Sequence, residues 1–389
     1  MIHLFINALA ASAGGGLTYV RNVVPHLAEL ERVRTTVLVN QRLRSEFRDS
    51  ARVTLLSIES PADAFSRFWI EQKQVPGLIR HSGANVLLSA GNFALWNSPV
   101  PQILLSRNSL YTSPTFGSDL RTRGEYRIWI ETQIKGAFAK WSIQIADAAV
   151  APSEAFAGEL RGWTGKPVLA IHHGFDREAF VQDQSPLAAE TQKDLNSTSG
   201  ALRLLFVSHY NYYRNFETLI RAIPVIRRMI APRKIRLFLT CNLVPGLVVG
   251  GYRTDSVAAL VRELEVRDEI IELGAVPYNS LHHVYRAADI YVSPAYAESF
   301  AHPLVEAMSS GLPVTASDLP VHREICGDAA LYFDRFAPAR LAESVVQISK
   351  SSQLAQKMSQ AGRQRAQAFS WSVHVDHIVE LASRLIAHG

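Results

Sequence analysis

Short apolar runs alternate with longer amphipathic segments along the whole chain, and this alternation constrains the fold more than any other feature. Runs too short for a helix core, each followed by a helical pattern, describe a parallel sheet covered by helices. In the first half the strands read as Ile2–Ile6, Thr36–Val39, Val53–Ile58, Asn85–Leu88, Gln102–Leu105, Ala148–Ala151 and Val168–Ile171, with helical patterns at Leu17–Leu30 and Tyr126–Trp141. The second half repeats the grammar, with strands at Leu202–Val207, Ile235–Leu239, Ile270–Leu273, Ile290–Val292 and Val314–Ala316. Helices at Phe216–Met229, Asp255–Leu264, Leu281–Ala287 and Pro303–Ser309 fall between them. The class is α/β. At 389 residues the chain is long for one core and comfortable for two. A polar stretch rich in Ser, Gln, Asp and Thr, residues 182–200, reads as the linker between domains 1–181 and 201–370. Ligands of doubly wound sheets bind beyond the carboxyl ends of the strands, so two such units facing each other are expected to share a cleft.

Composition narrows the function classes. The net charge of +5 fits an acidic small ligand or an anionic surface and falls short of a nucleic-acid footprint. Two cysteines, Cys241 and Cys326, make neither a disulfide framework nor a metal cluster, which points to a reducing, cytoplasmic setting. The start Met1–Asn7 has no basic residues before its apolar run and reads as a first strand rather than a signal peptide. No uncharged apolar stretch reaches membrane-spanning length, so any membrane contact is expected to be peripheral.

Two segments carry candidate chemistry. Gly14-Gly15-Gly16 follows the first strand, and such glycines let the backbone approach an anion or a sugar hydroxyl at a helix start. A purely structural tight turn is the alternative. A nicotinamide enzyme would need G-x-G-x-x-G and an acid ending the second strand, where Val39-Asn40 stands instead. The second segment, Ser293 to Asp318, joins a strand to a helix entered at Pro303. Proline at a first helical position loses no hydrogen bond, and the N–H groups at Phe300, Ala301, His302 and Leu304 would meet a phosphate at the positive end of the helix. Glu306 in the first turn can accept from two vicinal ribose hydroxyls, and Glu298 on the preceding loop can reach the same cleft.

The pattern Glu298-x7-Glu306-Ala307-Met308-x2-Gly311-x-Pro313-Val314 closely resembles the family-4 retaining glycosyltransferases, which have two Rossmann-like domains in the GT-B architecture. Ile171-His172-His173-Gly174-Phe175-Asp176 and Phe369-Ser370-Trp371 extend the resemblance over nearly the whole chain. It implies that the last helix, residues 371–389, crosses back to pack on the first domain. It also implies that Glu306 binds the donor ribose, Glu298 the transferred sugar and the backbone of 300–304 the diphosphate. Phe206-Val207-Ser208-His209-x4-Arg214 matches the strand followed by two diphosphate-holding cations. Arg214 keeps the charge with a fork suited to phosphate, whereas His209 replaces an arginine. Val276, in Gly274-Ala275-Val276-Pro277, falls in the loop that meets the nucleobase. Asn108 stands where many members carry a histidine near the reacting sugar, and it can hydrogen-bond but not shuttle a proton.

These features set the functional expectation. A sugar moves from a nucleoside diphosphate to a saccharide or lipid-linked saccharide with retention, as in glycan synthesis. No cofactor is needed beyond the donor substrate, and no Asp-x-Asp pair suggests a metal. The cations and aromatics of residues 121–141 suit an interfacial helix on anionic lipid; packing of Trp129, Ile130, Ile134 and Phe138 on the sheet is the other reading. A non-catalytic sugar-nucleotide-binding or partner subunit, and less so a nicotinamide oxidoreductase, are the rival functions.

Overall fold

The computed structural model describes residues 1–11, 14–61, 63–182 and 185–388. It divides into two compact units. The first contains Met1–Thr112, Trp129–Gly174 and Ser370–Gly389; the second contains Ser113–Ile128 and Phe175–Phe369. The boundary therefore lies at Gly174, not in residues 182–200. That stretch belongs to the second unit and contains a helix at Ala189–Asn196. Residues 183 and 184 of the expected linker lie outside the described residues.

The first unit is built on seven parallel strands: β1 Ile2–Asn7, β2 Val33–Asn40, β3 Val53–Ile58, β4 Val86–Ser89, β5 Gln102–Leu105, β6 Ala148–Ala151 and β7 Leu169–Ala170, in the order β3-β2-β1-β4-β5-β6-β7. The order reverses between β1 and β4, where a doubly wound sheet opens a crevice at its carboxyl edge. One face is covered by the helices Gly14–Glu29 and Trp371–His388. Tyr19, Val23 and Leu27 of the first share a core with Trp371, Val375, Ile378 and Ala382 of the second. His374 fixes their register, with Nε2 3.0 Å from the Tyr19 hydroxyl and Nδ1 2.8 Å from the His172 carbonyl. Gly174 is needed at this junction, since a Cβ there would sit 2.0 Å from the Trp371 nitrogen.

The helix Tyr126–Ile145 corrects one reading. Its buried face is made by Gly136, Ala139, Ser142 and Ile143, while Ile130 and Ile134 are 51% and 52% exposed instead of packing on the sheet.

The second unit holds β8 Leu202–Phe206, β9 Ile235–Leu239, a small antiparallel hairpin of β10 Val248–Val249 and β11 Tyr252–Arg253, then β12 Ile270–Glu272, β13 Ile290–Ser293, β14 Val314–Ser317 and β15 Ala330–Phe333. Its main sheet is again parallel, in the order β12-β9-β8-β13-β14-β15. The reversal falls between β8 and β13, and both strands are almost wholly buried. The loops leaving these two strands carry Arg214 and Glu298. Among the described residues no helix is long and apolar enough to cross a membrane.

Candidate donor-binding site

After β8 the chain turns through Asn211–Asn215 before entering the helix Phe216–Ile230. The Asn211 side chain accepts from the Arg214 N–H at 3.1 Å, closing a tight turn. Asn215 adopts the left-handed conformation (φ 56°), which asparagine tolerates better than most residues. Its Nδ2 donates to the Pro294 carbonyl at 3.0 Å, tying this turn to the loop after β13. A backbone bond from the Tyr296 N–H to the Tyr213 carbonyl, 2.9 Å, repeats the tie.

This double tie sets Arg214 against Glu298. The two form an ion pair between Arg214 Nη1 and Glu298 Oε2, with both side chains largely buried. The other Glu298 oxygen accepts from the Ser299 N–H at 3.1 Å. Burial pushes the Glu298 carboxyl up, but Arg214, with help from His322 and the Ser299 N–H, outweighs it and holds the group below its ordinary value. Arg214 also lies 5.3 Å from the Tyr213 ring centre, and its Nε is buried without a hydrogen-bond partner. Of its donors, one is spent on Glu298 and one is left unsatisfied in the protein alone.

Glu306 sits in the helix His302–Ser309 at 5% exposure. The Tyr285 hydroxyl, from the helix Leu281–Ala287, donates to its Oε2 at 2.7 Å. Burial dominates and pushes the carboxyl up to about 7, with the tyrosine bond opposing it. Tyr291 of β13 lies among all three charges: burial raises its phenol, Arg214 lowers it, and Glu306 and Glu298 raise it further. Arg214, Glu298 and Glu306 are thus brought together at the carboxyl edge of β8 and β13.

The helix entry differs in detail from the sequence reading. His302 is the first helical residue and Pro303 the second, and Ala301 before them is left-handed (φ 67°). Phe300, Ala301 and Leu304 are buried, and the Phe300 ring packs 5.5 Å from Phe369, so only backbone could meet a ligand there. The Leu304 N–H is already committed to the Ala301 carbonyl at 3.0 Å, which removes it from an anion-binding set. His209 is exposed on the loop after β8, where its carbonyl accepts from Ser208 Oγ at 2.7 Å. Val276 is half-buried on the loop after β12. Asp318 pairs with Arg323 at the surface, apart from this cluster.

In the first unit, the glycines are not a loop before the helix but its opening residues, since the helix begins at Gly14. A Cβ on Gly15 would meet open space, whereas one on Gly16 would lie 3.2 Å from the Ala11 Cα. Arg107, given no role in the sequence reading, pins this turn by donating to the Gly15 carbonyl at 2.9 Å and the Ala90 carbonyl at 2.6 Å. Asn108 closes a local turn by accepting from the Leu110 N–H at 3.1 Å. Tyr285, Tyr291, His322 and Arg107 carried no motif signal; their places follow only from which strands are neighbours.

Comparison with known proteins agrees with this geometry. The model for "Glycosyl transferases group 1" matches residues 188–365. A D-inositol 3-phosphate glycosyltransferase of Corynebacterium aurimucosum is 26% identical over 208 residues, 53% of this chain and 48% of that protein. The O-antigen chain mannosyltransferase B of Escherichia coli is 33% identical over 128 residues, 32% of this chain and 34% of its own. The chain thus spans about half or less of these relatives' length. Among solved structures, a sucrose-phosphate synthase from Thermosynechococcus elongatus superposes with a TM-score of 0.77 at 18% identity, covering 100% of both chains. Residues 188–365 of this chain therefore match the group 1 glycosyltransferase family, and its two parallel α/β units have the GT-B fold.

Proposed function

We propose that the protein is a retaining glycosyltransferase that moves a sugar from a nucleoside diphosphate to a saccharide or lipid-linked saccharide. The observation that carries this reading is the buried set of Arg214, Glu298 and Glu306 around Tyr291, at the carboxyl edge of a parallel sheet. The named activities of the two curated relatives support it. Glu306 accepts from the donor's ribose hydroxyls, and Arg214 with the backbone entering His302–Ser309 faces the diphosphate. Glu298 contacts the transferred sugar, Val276 borders the nucleobase, and His209 assists at the phosphates. In the first unit Gly15 and Gly16 offer a close backbone approach, and Asn108 supplies a hydrogen bond to the reacting sugar.

In the reaction the bond between the sugar's anomeric carbon and the diphosphate oxygen breaks, while the acceptor oxygen bonds to that carbon on the same face. The acceptor's proton passes to the departing phosphate. Negative charge grows on that phosphate, and stabilising it is the largest service the protein can give. Arg214 suits the task because its charge persists at any working pH. No cofactor and no metal take part in this scheme. The enzyme works in the cytoplasm, with a peripheral contact to the inner face of the membrane through part of residues 121–141.

Thermal unfolding against a panel of UDP-, GDP- and ADP-sugars, each with and without chelator, tests the reading. One nucleotide class should stabilise the fold, by about 2.7 kcal/mol at a hundred times its dissociation constant, and should do so in chelator. Stabilisation by none of them, or only with added Mg²⁺, overturns it. Binding without release of sugar to any acceptor or to water would instead mark a non-catalytic binding subunit.

A further inference from the structure

The second unit contains a piece of chain drawn from the first half of the sequence, Ser113–Ile128, and its polar side chains converge on the two loops that hold Arg214 and Glu298. The helix Pro114–Thr122 is capped by Ser113, whose Oγ accepts from the Phe116 N–H at 3.2 Å. Phe116 is fully buried and lies edge-on to Tyr213, the residue before Arg214, at 6.1 Å. One turn on, Asp119 Oδ2 accepts from the Tyr296 hydroxyl at 2.6 Å, and Tyr296 stands two residues before Glu298. The other Asp119 oxygen accepts from Arg123 Nε at 2.8 Å. Arg123 in turn pairs with Glu217 at 2.8 Å, in the first turn of the helix that follows Arg214, and its guanidinium covers the Tyr212 ring at 4.2 Å. Glu125 completes the set by accepting from the Tyr212 hydroxyl at 2.9 Å.

We infer that this segment is a brace for the proposed diphosphate and sugar contacts, with Asp119, acting through Tyr296, as a positioning residue for Arg214 and Glu298. Apart from the Phe116 ring contact on Tyr213, the links are polar and directional, and they reach Tyr212, Tyr296 and Glu217, neighbours of the two functional side chains. A segment that served only to cover apolar surface would need Phe116 and Leu120, not a charge-assisted chain that ends on the functional loops. Arg214 must stand within a few tenths of an ångström of its productive place to stabilise a departing phosphate, because such stabilisation depends on preorganised donors. Glu306 is held by a different bond, from Tyr285, on the helices His302–Ser309 and Leu281–Ala287. Loosening the brace should therefore slow the chemical step and leave donor binding largely intact.

The inference rests on the glycosyltransferase reading, and the experiment separates the two. Steady-state release of sugar from UDP-glucose, GDP-mannose and ADP-glucose is measured for wild type, Tyr296→Phe, Asp119→Ala, Asp119→Asn and the double variant Asp119→Ala/Tyr296→Phe, with Tm recorded for each. Tyr296→Phe keeps the ring and deletes one hydroxyl, so its expected result is a kcat about tenfold lower with donor KM within about threefold of wild type. Asp119→Ala should match it, and the double variant should be no worse than either single, because both break one chain of contacts. Asp119→Asn can still accept from the tyrosine but turns its amide N–H groups toward the Arg123 Nε–H, so its kcat should fall between wild type and Asp119→Ala. A Tyr296→Phe kcat within twofold of wild type overturns the positioning role. So does a kcat that falls in step with Tm across all variants, Asp119→Asn included. Failure of wild type to release sugar from any donor removes the reaction itself, and the role with it.

Discussion

Replacing Glu306 by Gln should make the protein more stable in mild alkali while weakening its hold on a nucleotide. The carboxyl is buried, and burial moves its pKa from 4.5 to about 7 in the folded chain. A folded pKa above the unfolded value means that the native state is favoured below pH 4.5 and loses that advantage as pH rises through 7. A shift of this size corresponds to about 3 kcal/mol withheld from the native state above pH 7. Gln has the same shape and still accepts from the Tyr285 hydroxyl, so the variant escapes the titration while keeping that bond. Its new amide group adds a cost of about 1–3 kcal/mol if it finds no acceptor, but that cost does not vary with pH. The decisive quantity is therefore the difference in Tm between variant and wild type, measured from pH 5 to pH 8.5. About 2.5 kcal/mol of the effect falls between those limits, so the difference should grow in the variant's favour by about 5–10 °C. Titration of other buried acids, such as Glu71, also raised to about 7 by burial, cancels in the difference. Calorimetry with whichever nucleotide sugar binds supplies the functional half. Its two esterified phosphates do not titrate near neutrality, so wild-type affinity should fall below pH 7 as Glu306 protonates, and the variant should bind weakly with no such dependence. A flat Tm difference across the range would refute the buried, ionising carboxylate. Unchanged affinity in the variant would remove Glu306 from the ribose site.

Three other outcomes follow from named contacts. Arg214→Ala should lower turnover by about two to three orders of magnitude, as loss of a charge-stabilising donor does, and a near-normal rate would end its assignment to the diphosphate. Gly15→Ala places a methyl in open space within a helix, so the fold should gain about 0.5–1 kcal/mol by chemical denaturation. Lost activity in that stable variant would support a close ligand approach, and full activity would leave Gly15 a structural residue. For the membrane contact, flotation with anionic vesicles should retain wild type and release a variant carrying Arg127→Gln, Ile130→Gln and Ile134→Gln; Arg123 is omitted because it is spent on Glu217 and Asp119. Equal flotation of both proteins would dismiss that face.

The parallel sheets were legible because most strands are buried apolar runs, and eleven of the twelve expected runs have both ends within one residue of an observed strand, the exception being β2, which starts three residues earlier. β15 lies outside the expected strands because Ala330–Phe333 is a run of only four residues, two of them half-buried. The Glu298 and Glu306 pair could be read because both lie on one loop-helix unit, so local spacing encodes their meeting. Tyr285, which donates to Glu306, lies 21 residues upstream on another helix, and no spacing rule links the two. The same holds for Asp119 and Tyr296, 177 residues apart. Residues 182–200 read as a linker because they are polar, but polarity cannot tell an unstructured joint from a surface helix. The true junction is marked by Gly174, whose missing side chain matters only once Trp371 arrives from the far end of the chain.

The interrupted course of the second unit has a bearing on how chains of this fold exchange parts. Residues 188–365, the stretch that matches the family model, look like a cassette that could be transplanted between relatives. In this protein that cassette is incomplete, because Ser113–Ile128 is built into the same unit and would be left behind in the parent. A hybrid joined at residue 188 would set a foreign brace against the turn at Tyr212–Arg214. The heritable module here is discontinuous, and recombination that preserves function has to carry both pieces or find a partner whose brace already fits.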